Sequence, residues 1–314
     1  ELGEPVEVVV QAEASSNGNG NGNGNGNGRA AAEARTPTWR PVRPGSAPTP
    51  SRRRSAAPLP AMRHDLDSFV VGPCNQLAYG AAKRLVEADA PDLNPLFIHG
   101  GCGVGKTHLL QGLCRRYSVL YPDRVWRYVT AEQFTNEYIH AVRHNDLPAF
   151  RRKVRGLDLL AIDDVHFLSQ KQATQAEFLH TFDSIDLHGA KLVLASDCHP
   201  KMIRQFSEAL VSRFVSGMVV RIDPPDAETR AALVRALAER GGVKLRDEVV
   251  PLLAEHARGS VREIEGLVTS LRAMAELERP GEAGACEVGR TIVQRLLGAS
   301  GTMRPARPVR FAVI

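Results

Sequence analysis

Residues 100–107 could bind the phosphates of a nucleoside triphosphate, since they read GGCGVGKT and fit the pattern G-x-x-x-x-G-K-[ST]. Glycines let backbone N–H groups wrap around phosphates, and the start of a following helix adds partial positive charge. Lys106 is expected to reach the β- and γ-phosphates, and the Thr107 hydroxyl is expected to bind Mg²⁺. A chance glycine turn is a poor alternative, because an apolar run precedes the motif and a helical stretch, 108–117, follows it. The residues expected to contact the nucleotide here are Gly101, Cys102, Gly103, Val104, Gly105, Lys106, Thr107 and His108.

Two acids that follow a second apolar run could supply the carboxylates that such a loop needs. Asp163 would hold Mg²⁺ through water, and Asp164 would orient or deprotonate the attacking water. A solvated turn acid remains the alternative for Asp164, because many strands end in aspartate. Together with the glycine loop, the acids predict a site that binds a nucleotide with Mg²⁺.

Five short aliphatic runs alternate with helical stretches and must position these groups. This alternation is typical of an α/β fold with a mostly parallel sheet. The predicted strands cover residues 96–99, 125–129, 157–162, 192–195 and 218–222.

The pattern changes after the proline pair 224–225, and residues 226–298 predict helices only. Ser260 and Glu263 form an S-x-x-E capping box, which is a signal for the start of a helix. The expected helices end at 241–242, cover 246–257 and begin at Ser260. An α/β domain over 61–225 is therefore expected to precede a small helical domain.

Both ends of the chain differ in composition from the middle. Residues 1–60 contain an Asn-Gly repeat at 17–28 and predict a disordered linker, with a nucleic-acid-binding arginine arm at 52–54 as the alternative. Residues 299–314 predict a basic, extended linker. Because the first residue is Glu, we expect the sequence to begin inside a longer protein. The two ends carry net charges of +2 and +3, so residues 61–298 are neutral and net charge does not favour DNA binding by the folded part.

The composition is that of a globular chain of about two domains. Of 314 residues, 43% are hydrophobic and 5% aromatic, so aliphatic side chains must form the core. Five cysteines without a C-x-x-C pair argue against a disulfide framework or zinc site and for a reducing, cytoplasmic location. No apolar run approaches the roughly 18 residues of a membrane span.

The sequence around these motifs resembles that of the bacterial DnaA replication initiators of the AAA+ class. The resemblance runs in order from about residue 66 to 298. The stretches that carry it are 69–78, 94–111, 160–168, 177–182, 196–197, 212–214 and 261–266. It implies an AAA+ P-loop core with a five-stranded parallel sheet, followed by an all-helical lid over residues 226–298, with ATP and Mg²⁺ as ligands.

The resemblance also implies roles for residues outside the glycine loop. Val70 and Val71 would line the adenine pocket. Asp197 matches the first sensor of the nucleotide state, and Arg262 matches the second sensor, on the lid. Arg213 matches the arginine finger, which would enter the ATP site of the next subunit. Surface arginines are the alternative for Arg213 and Arg262.

Two helices expected at 131–143 and 147–155 match the insertion that marks initiators, which lines a channel for single-stranded DNA. Arg151, Arg152 and Lys171 are the candidate DNA contacts, and a solvated charged face is the alternative. The sequence departs from the family at three positions. Ala173 and Ala209 stand where family members commonly carry basic residues, and His166 stands where they commonly carry glutamine. The first two departures weaken the expected DNA channel and subunit contact.

The resemblance implies an initiator module in which ATP drives head-to-tail oligomerisation that engages and opens origin DNA, and slow ATP hydrolysis ends it. The replicative helicase is a further candidate partner. Nothing here resembles the family's C-terminal helix-turn-helix domain, so binding of double-stranded origin boxes is not expected from these residues. An AAA+ regulator of the initiator and a helicase-loader ATPase stay open as alternatives. A metabolic P-loop kinase is not expected, because no substrate motif is present.

Overall fold

The computed structural model describes residues 62–88, 90–257, 259–278 and 286–299. The linkers expected at 1–60 and, apart from Ala299, at 299–314 lie outside the described residues, as does the arginine triplet 52–54.

A five-stranded parallel sheet forms the centre of the nucleotide-binding half, in the order β2-β3-β4-β1-β5. The strands are β1 (Leu96–His99), β2 (Trp126–Thr130), β3 (Leu159–Asp163), β4 (Lys191–Ser196) and β5 (Met218–Arg221). All five coincide, within about two residues, with the aliphatic runs of the sequence. The prediction of a parallel α/β fold is confirmed.

Both faces of this sheet are buried, which explains why its strands read as continuous aliphatic runs. Leu96 and Ile98 of β1 point into a core shared with the helices that flank the glycine loop, whereas Phe97 points into a second core on the opposite face. β3 is buried at every residue. Because parallel strands end at one edge, the residues that follow β1, β3 and β4 meet there.

Ten α-helices lie in the described residues, and those of the insertion match the predicted bounds. They are α1 (Gln76–Glu87), α2 (Lys106–Leu120), α3 (Ala131–Arg143), α4 (Leu147–Arg155), α5 (Gln172–Leu187), α6 (Glu208–Phe214), α7 (Ala227–Arg240), α8 (Val250–His256), α9 (Val261–Glu278) and α10 (Arg290–Ala299). A capping box starts α3, in which Thr130 and Gln133 exchange side-chain-to-backbone hydrogen bonds of 3.1 Å. No helix in the described part of the chain is long and apolar enough to cross a bilayer.

The part after Pro225 is not wholly helical, which corrects one expectation. Two three-residue strands, β6 (Val243–Leu245) and β7 (Cys286–Val288), pair in parallel. Val243 and Val288 are buried in a third core with α7, α8 and α9. Strands of three residues are too short to show a recognisable alternation in sequence, so this pairing was missed.

A buried carboxylate joins the insertion helix α4 to α5. Glu177 is only 4% exposed, and it accepts two hydrogen bonds from Arg151, at 3.0 and 2.8 Å, and one of 2.7 Å from Arg155. Burial alone would raise the pKa of Glu177, but the hydrogen bonds and charges of the two arginines outweigh it and lower the pKa below its ordinary value. Glu177 therefore stays ionised and fixes α4 against the core.

We expect Glu177→Gln to lower the free energy of unfolding by about 2 kcal/mol, because hydrogen bonds to a charged group are lost. Urea unfolding at neutral pH measures this. The matched control is Glu276→Gln, which breaks an exposed i,i+4 pair with Arg272 and should cost about 0.5 kcal/mol or less. Equal losses in the two variants would contradict the role of Glu177.

The same contact predicts a pH dependence. A carboxylate with a lowered pKa contributes stability above its unfolded pKa and loses it as the pH falls through the folded pKa. The stability difference between the wild type and Glu177→Gln should therefore shrink below about pH 4.5.

Candidate phosphate-binding site

The glycine loop, residues 100–107, connects β1 to α2 at the carboxyl edge of the sheet. Gly103 and Gly105 have φ values of 74° and 103°, a region that other residues rarely adopt. Gly105 also lies so close to Phe69 that a Cβ would stand 3.3 Å from the ring. The sequence therefore needs glycine at both positions for the loop to turn into the helix.

Lys106 is 6% exposed, and its ammonium is surrounded by acceptors. It donates hydrogen bonds to the carbonyl oxygens of Gly100 at 2.9 Å and Gly101 at 2.8 Å, and it pairs with Asp197 Oδ1 at 2.7 Å. A buried ammonium needs such partners to offset its lost hydration. The loop thus holds a positive charge where the phosphates of a nucleotide would bind.

Helix α9 begins directly on the glycine loop. The N–H of Val261, its first residue, donates to the Gly103 carbonyl at 2.9 Å. Arg262 Nη1 lies 3.1 Å from the Sγ of Cys102. The structure therefore brings the predicted second sensor to the loop, although these residues are about 160 positions apart in sequence.

The predicted capping box of α9 forms only in part. Ser260 Oγ accepts the Glu263 N–H at 3.3 Å, as expected. The Glu263 carboxylate, however, accepts the N–H of Gly259 at 3.1 Å instead of that of Ser260. The cap still fixes the helix start, and with it the position of Arg262.

A cavity beside the loop is lined by residues of the loop, α2, α7 and α9. Of the two residues predicted for an adenine pocket, Val70 lines this cavity, whereas Val71 does not and is 43% exposed; His108, predicted as a contact of the glycine loop, also lines it. Asn75 folds this segment by donating to the Val70 carbonyl at 3.0 Å and accepting from the Gly72 N–H at 2.9 Å. We therefore retain Val70 and not Val71 as a candidate base contact.

His108 is held in a ring stack at the start of α2. Its ring stacks on His64 at 4.4 Å and meets the edge of Phe69 at 5.2 Å. Burial lowers the pKa of His108 to about 4, so the ring is neutral at physiological pH. His108 thus presents a neutral ring to the cavity.

The two predicted acids have different environments at the end of β3. Asp163 is 1% exposed, and its Oδ1 accepts the Asp164 N–H at 3.0 Å. Asp164 adopts φ 55° and is partly exposed. Burial and the negative charge of Asp163 raise the pKa of Asp164, which favours proton exchange with a bound water.

The donor set fits a divalent cation. Within the described part of the chain, no cationic side chain lies within ion-pairing distance of the buried Asp163 carboxylate, so a negative charge is left without a counter-ion. Oxygen ligands such as this carboxylate and the Thr107 hydroxyl are those that Mg²⁺ prefers.

A second group, Asp164, His166 and Asp197, offers ligand atoms within 4.8 Å of one another. Asp197 follows β4, as predicted, and its Oδ2 lies 3.7 Å from His166 Nε2.

Arg213 lies in the last turn of α6 and is half exposed. Its Nε donates to Asp183 Oδ1 of the same chain at 2.9 Å, and both side chains face solvent. Exposed ion pairs contribute little stability, so the guanidinium can change partners at small cost.

The three candidate DNA contacts differ in their availability. Arg152 is exposed and Lys171 is partly exposed, at the start of α5. Arg151, in contrast, makes the bidentate contact with Glu177 described above. Arg151 is therefore engaged in a structural ion pair in this conformation, although its side chain remains 43% exposed.

Three side chains that pair with predicted site residues were missed by the sequence analysis: Tyr128, Glu177 and Asp183. Tyr128 donates to Asp163 Oδ2 at 3.0 Å, whereas the other two pair with arginines. A tyrosine on a strand and acids on a helix carry no local signal of their partners, which are 22 to 35 residues away.

The family profile described as the bacterial DnaA ATPase domain matches residues 61–221. The chromosomal replication initiator protein DnaA of Chloroflexus aurantiacus is 42% identical over 217 residues, which cover 69% of this chain and 45% of the relative. The chain thus spans less than half of the length of that relative.

Solved structures agree with the sequence relatives. Domain III of the replication initiation protein DnaA from Thermotoga maritima superposes with a TM-score of 0.69 at 36% identity, covering 75% of this chain and 95% of that domain. A structure described as replication initiator DnaA bound to AMPPCP and single-stranded DNA gives a TM-score of 0.62 at 35% identity, covering 69% of this chain and 68% of that chain.

We expect Gly103→Ala to lower the free energy of unfolding by about 1–2 kcal/mol, because φ is positive there. The new Cβ would also stand 3.1 Å from the Ser260 side chain and 3.3 Å from Arg262. Gly101→Ala is the matched control, since its Cβ would meet nothing within 4 Å and should change stability by about 0.5 kcal/mol or less. Urea unfolding of both variants tests this, and equal stability would contradict the packing of α9 on the loop.

Proposed function

The chain belongs to the bacterial DnaA ATPase family and has the AAA+ fold, and from this premise we propose that it is the ATP-switched core of a replication initiator. The observation that carries the proposal is the contact of α9 with the glycine loop through Val261 and Arg262. Because the loop and the helical part touch there, the occupant of the loop can determine where the helical part lies. A relative of 35% identity solved with AMPPCP and single-stranded DNA supports both ligand classes.

ATP binding would use the groups that already lie at the loop. Backbone N–H groups of the loop and the amino end of α2 would surround the phosphates. Lys106 would exchange its two loop carbonyls for the β- and γ-phosphates, with Asp197 beside it to report whether the γ-phosphate is present. Val70 and His108 would contact the base.

Thr107 and Asp163 would hold Mg²⁺ near the phosphates. The ion would neutralise phosphate charge during hydrolysis. Asp164 would orient the attacking water and take its proton, for which its raised pKa suits it. A slow reaction here would act as a timer, since loss of the γ-phosphate would release the contacts made by Lys106 and Arg262.

Oligomerisation would follow from a head-to-tail contact between subunits. Arg213 would leave Asp183 and enter the ATP site of the next subunit, where its guanidinium would neutralise γ-phosphate charge. A contact of this kind is heterologous, so it would continue into an open helical assembly. ATP would thereby control assembly from two sides, through Arg262 in the same chain and Arg213 in the neighbour.

Single-stranded DNA would lie along the insertion helices of the assembled subunits. Arg152 and Lys171 would contact its phosphates, which gives affinity without sequence preference. Arg151 would act indirectly by fixing α4 through Glu177. We place this activity in the cytoplasm, with origin opening as its outcome and the replicative helicase as a further partner.

Arg213→Ala should bind ATP as well as the wild type but lose ATP-dependent assembly. Truncation of an interface arginine of this kind costs about 2 kcal/mol or more, or about 30-fold in the protein concentration for half-assembly. Light scattering in ATP measures assembly, and a fluorescent ATP analogue measures binding. Arg272→Ala is the control, because it removes another exposed, ion-paired arginine. Normal ATP-dependent assembly by Arg213→Ala would contradict the assignment of Arg213 as the arginine finger.

Fluorescence anisotropy of a labelled single-stranded oligonucleotide, in ATP and in ADP at one fixed salt concentration, tests the function itself. We expect cooperative binding in ATP and weak binding in ADP. Arg152→Ala should weaken binding and reduce the slope of log affinity against log salt by about one. Weak binding with the same affinity in ATP and in ADP would contradict the proposal and favour a protein as the main partner.

A further inference from the structure

The carboxylate of Asp163 is held by two donors of different origin. The backbone N–H of Asp164 donates to Oδ1 at 3.0 Å, and the hydroxyl of Tyr128 donates to Oδ2 at 3.0 Å. The first donor belongs to the next residue and follows from the turn at the end of β3. The second donor lies on the neighbouring strand β2, so its presence depends on which residue occupies position 128.

Strand register places Tyr128 within reach of this carboxylate. Tyr128 of β2 pairs with Ala161 of β3, and Asp163 follows two residues later on the same face of the sheet. The long phenol side chain spans this diagonal. A shorter residue at this position could fill space on the face, but it could not reach Oδ2.

The side chain of Gln111 in α2 lies beside the hydroxyl of Tyr128. The Gln111 Oε1 accepts the N–H of Arg63 at 3.3 Å.

We propose that Tyr128 is a positioning residue for the metal carboxylate, and that its hydroxyl holds Asp163 in the one orientation in which it shares a divalent cation with Thr107. This inference rests on the proposed function, in which Asp163 holds Mg²⁺. Without this hydroxyl, the Asp164 N–H would be the remaining donor described for this carboxylate. Partners of this outer kind typically account for about 10- to 100-fold in metal affinity.

Tyr128→Phe tests the proposal, because it keeps the ring and removes only the donor. The affinity of a fluorescent ATP analogue is measured across a Mg²⁺ titration and in EDTA. We expect an unchanged affinity in EDTA and a rise of about 10-fold in the Mg²⁺ concentration for half-maximal enhancement. Tyr121→Phe is the matched control: its hydroxyl donates to the Val86 carbonyl at 3.1 Å, and its loss should leave the Mg²⁺ midpoint unchanged.

Asp163→Asn separates this inference from the proposed function. If Asp163→Asn abolishes the enhancement by Mg²⁺ but Tyr128→Phe leaves the midpoint unchanged, the role of Tyr128 is wrong and the metal assignment stands. If Asp163→Asn retains the enhancement, both are overturned. A loss of affinity in EDTA by Tyr128→Phe would show a general defect of the loop and would also overturn the metal-specific role.

Discussion

A buried ammonium is the constraint on which the nucleotide site depends. Lys106 is only 6% exposed, and three acceptors surround its side-chain nitrogen and offset its lost hydration. Those acceptors come from the ends of β1 and β4, which are neighbours in the sheet and pair His99 with Ser196. The next residue on each strand, Gly100 and Asp197, therefore flanks the lysine. The order of the strands is thus a chemical requirement as well as a packing solution.

The same edge of the sheet joins the site to the helical part of the chain. The amino end of α9 has N–H groups that helix geometry leaves without partners, and Gly103 accepts one of them. Ser260 accepts another at the cap, so few polar groups at this junction need water. Contacts of this kind are small in number, and they join the helical part directly to the phosphate loop.

Arginines of the insertion helix α4 differ in the partners that they contact. Arg151 and Arg155 converge on a carboxylate that is 4% exposed, where ion pairs hold helices together. Arg152 points to solvent and remains available for a polyanion. Counting basic residues in the insertion could not separate these groups, because a helix places neighbouring residues on different faces.

The sequence by itself determined the α/β class, the five strands, the insertion helices and the phosphate loop, because each depends on local patterns of apolar residues, glycines and caps. Tertiary structure alone decided that Val71 lies outside the cavity, that Arg151 pairs with Glu177 and that Tyr128 reaches Asp163. It also decided the pairing of β6 with β7. These outcomes depend on contacts between residues 26 or more apart in the chain, which follow from the packing of helices and strands and leave no trace in local spacing.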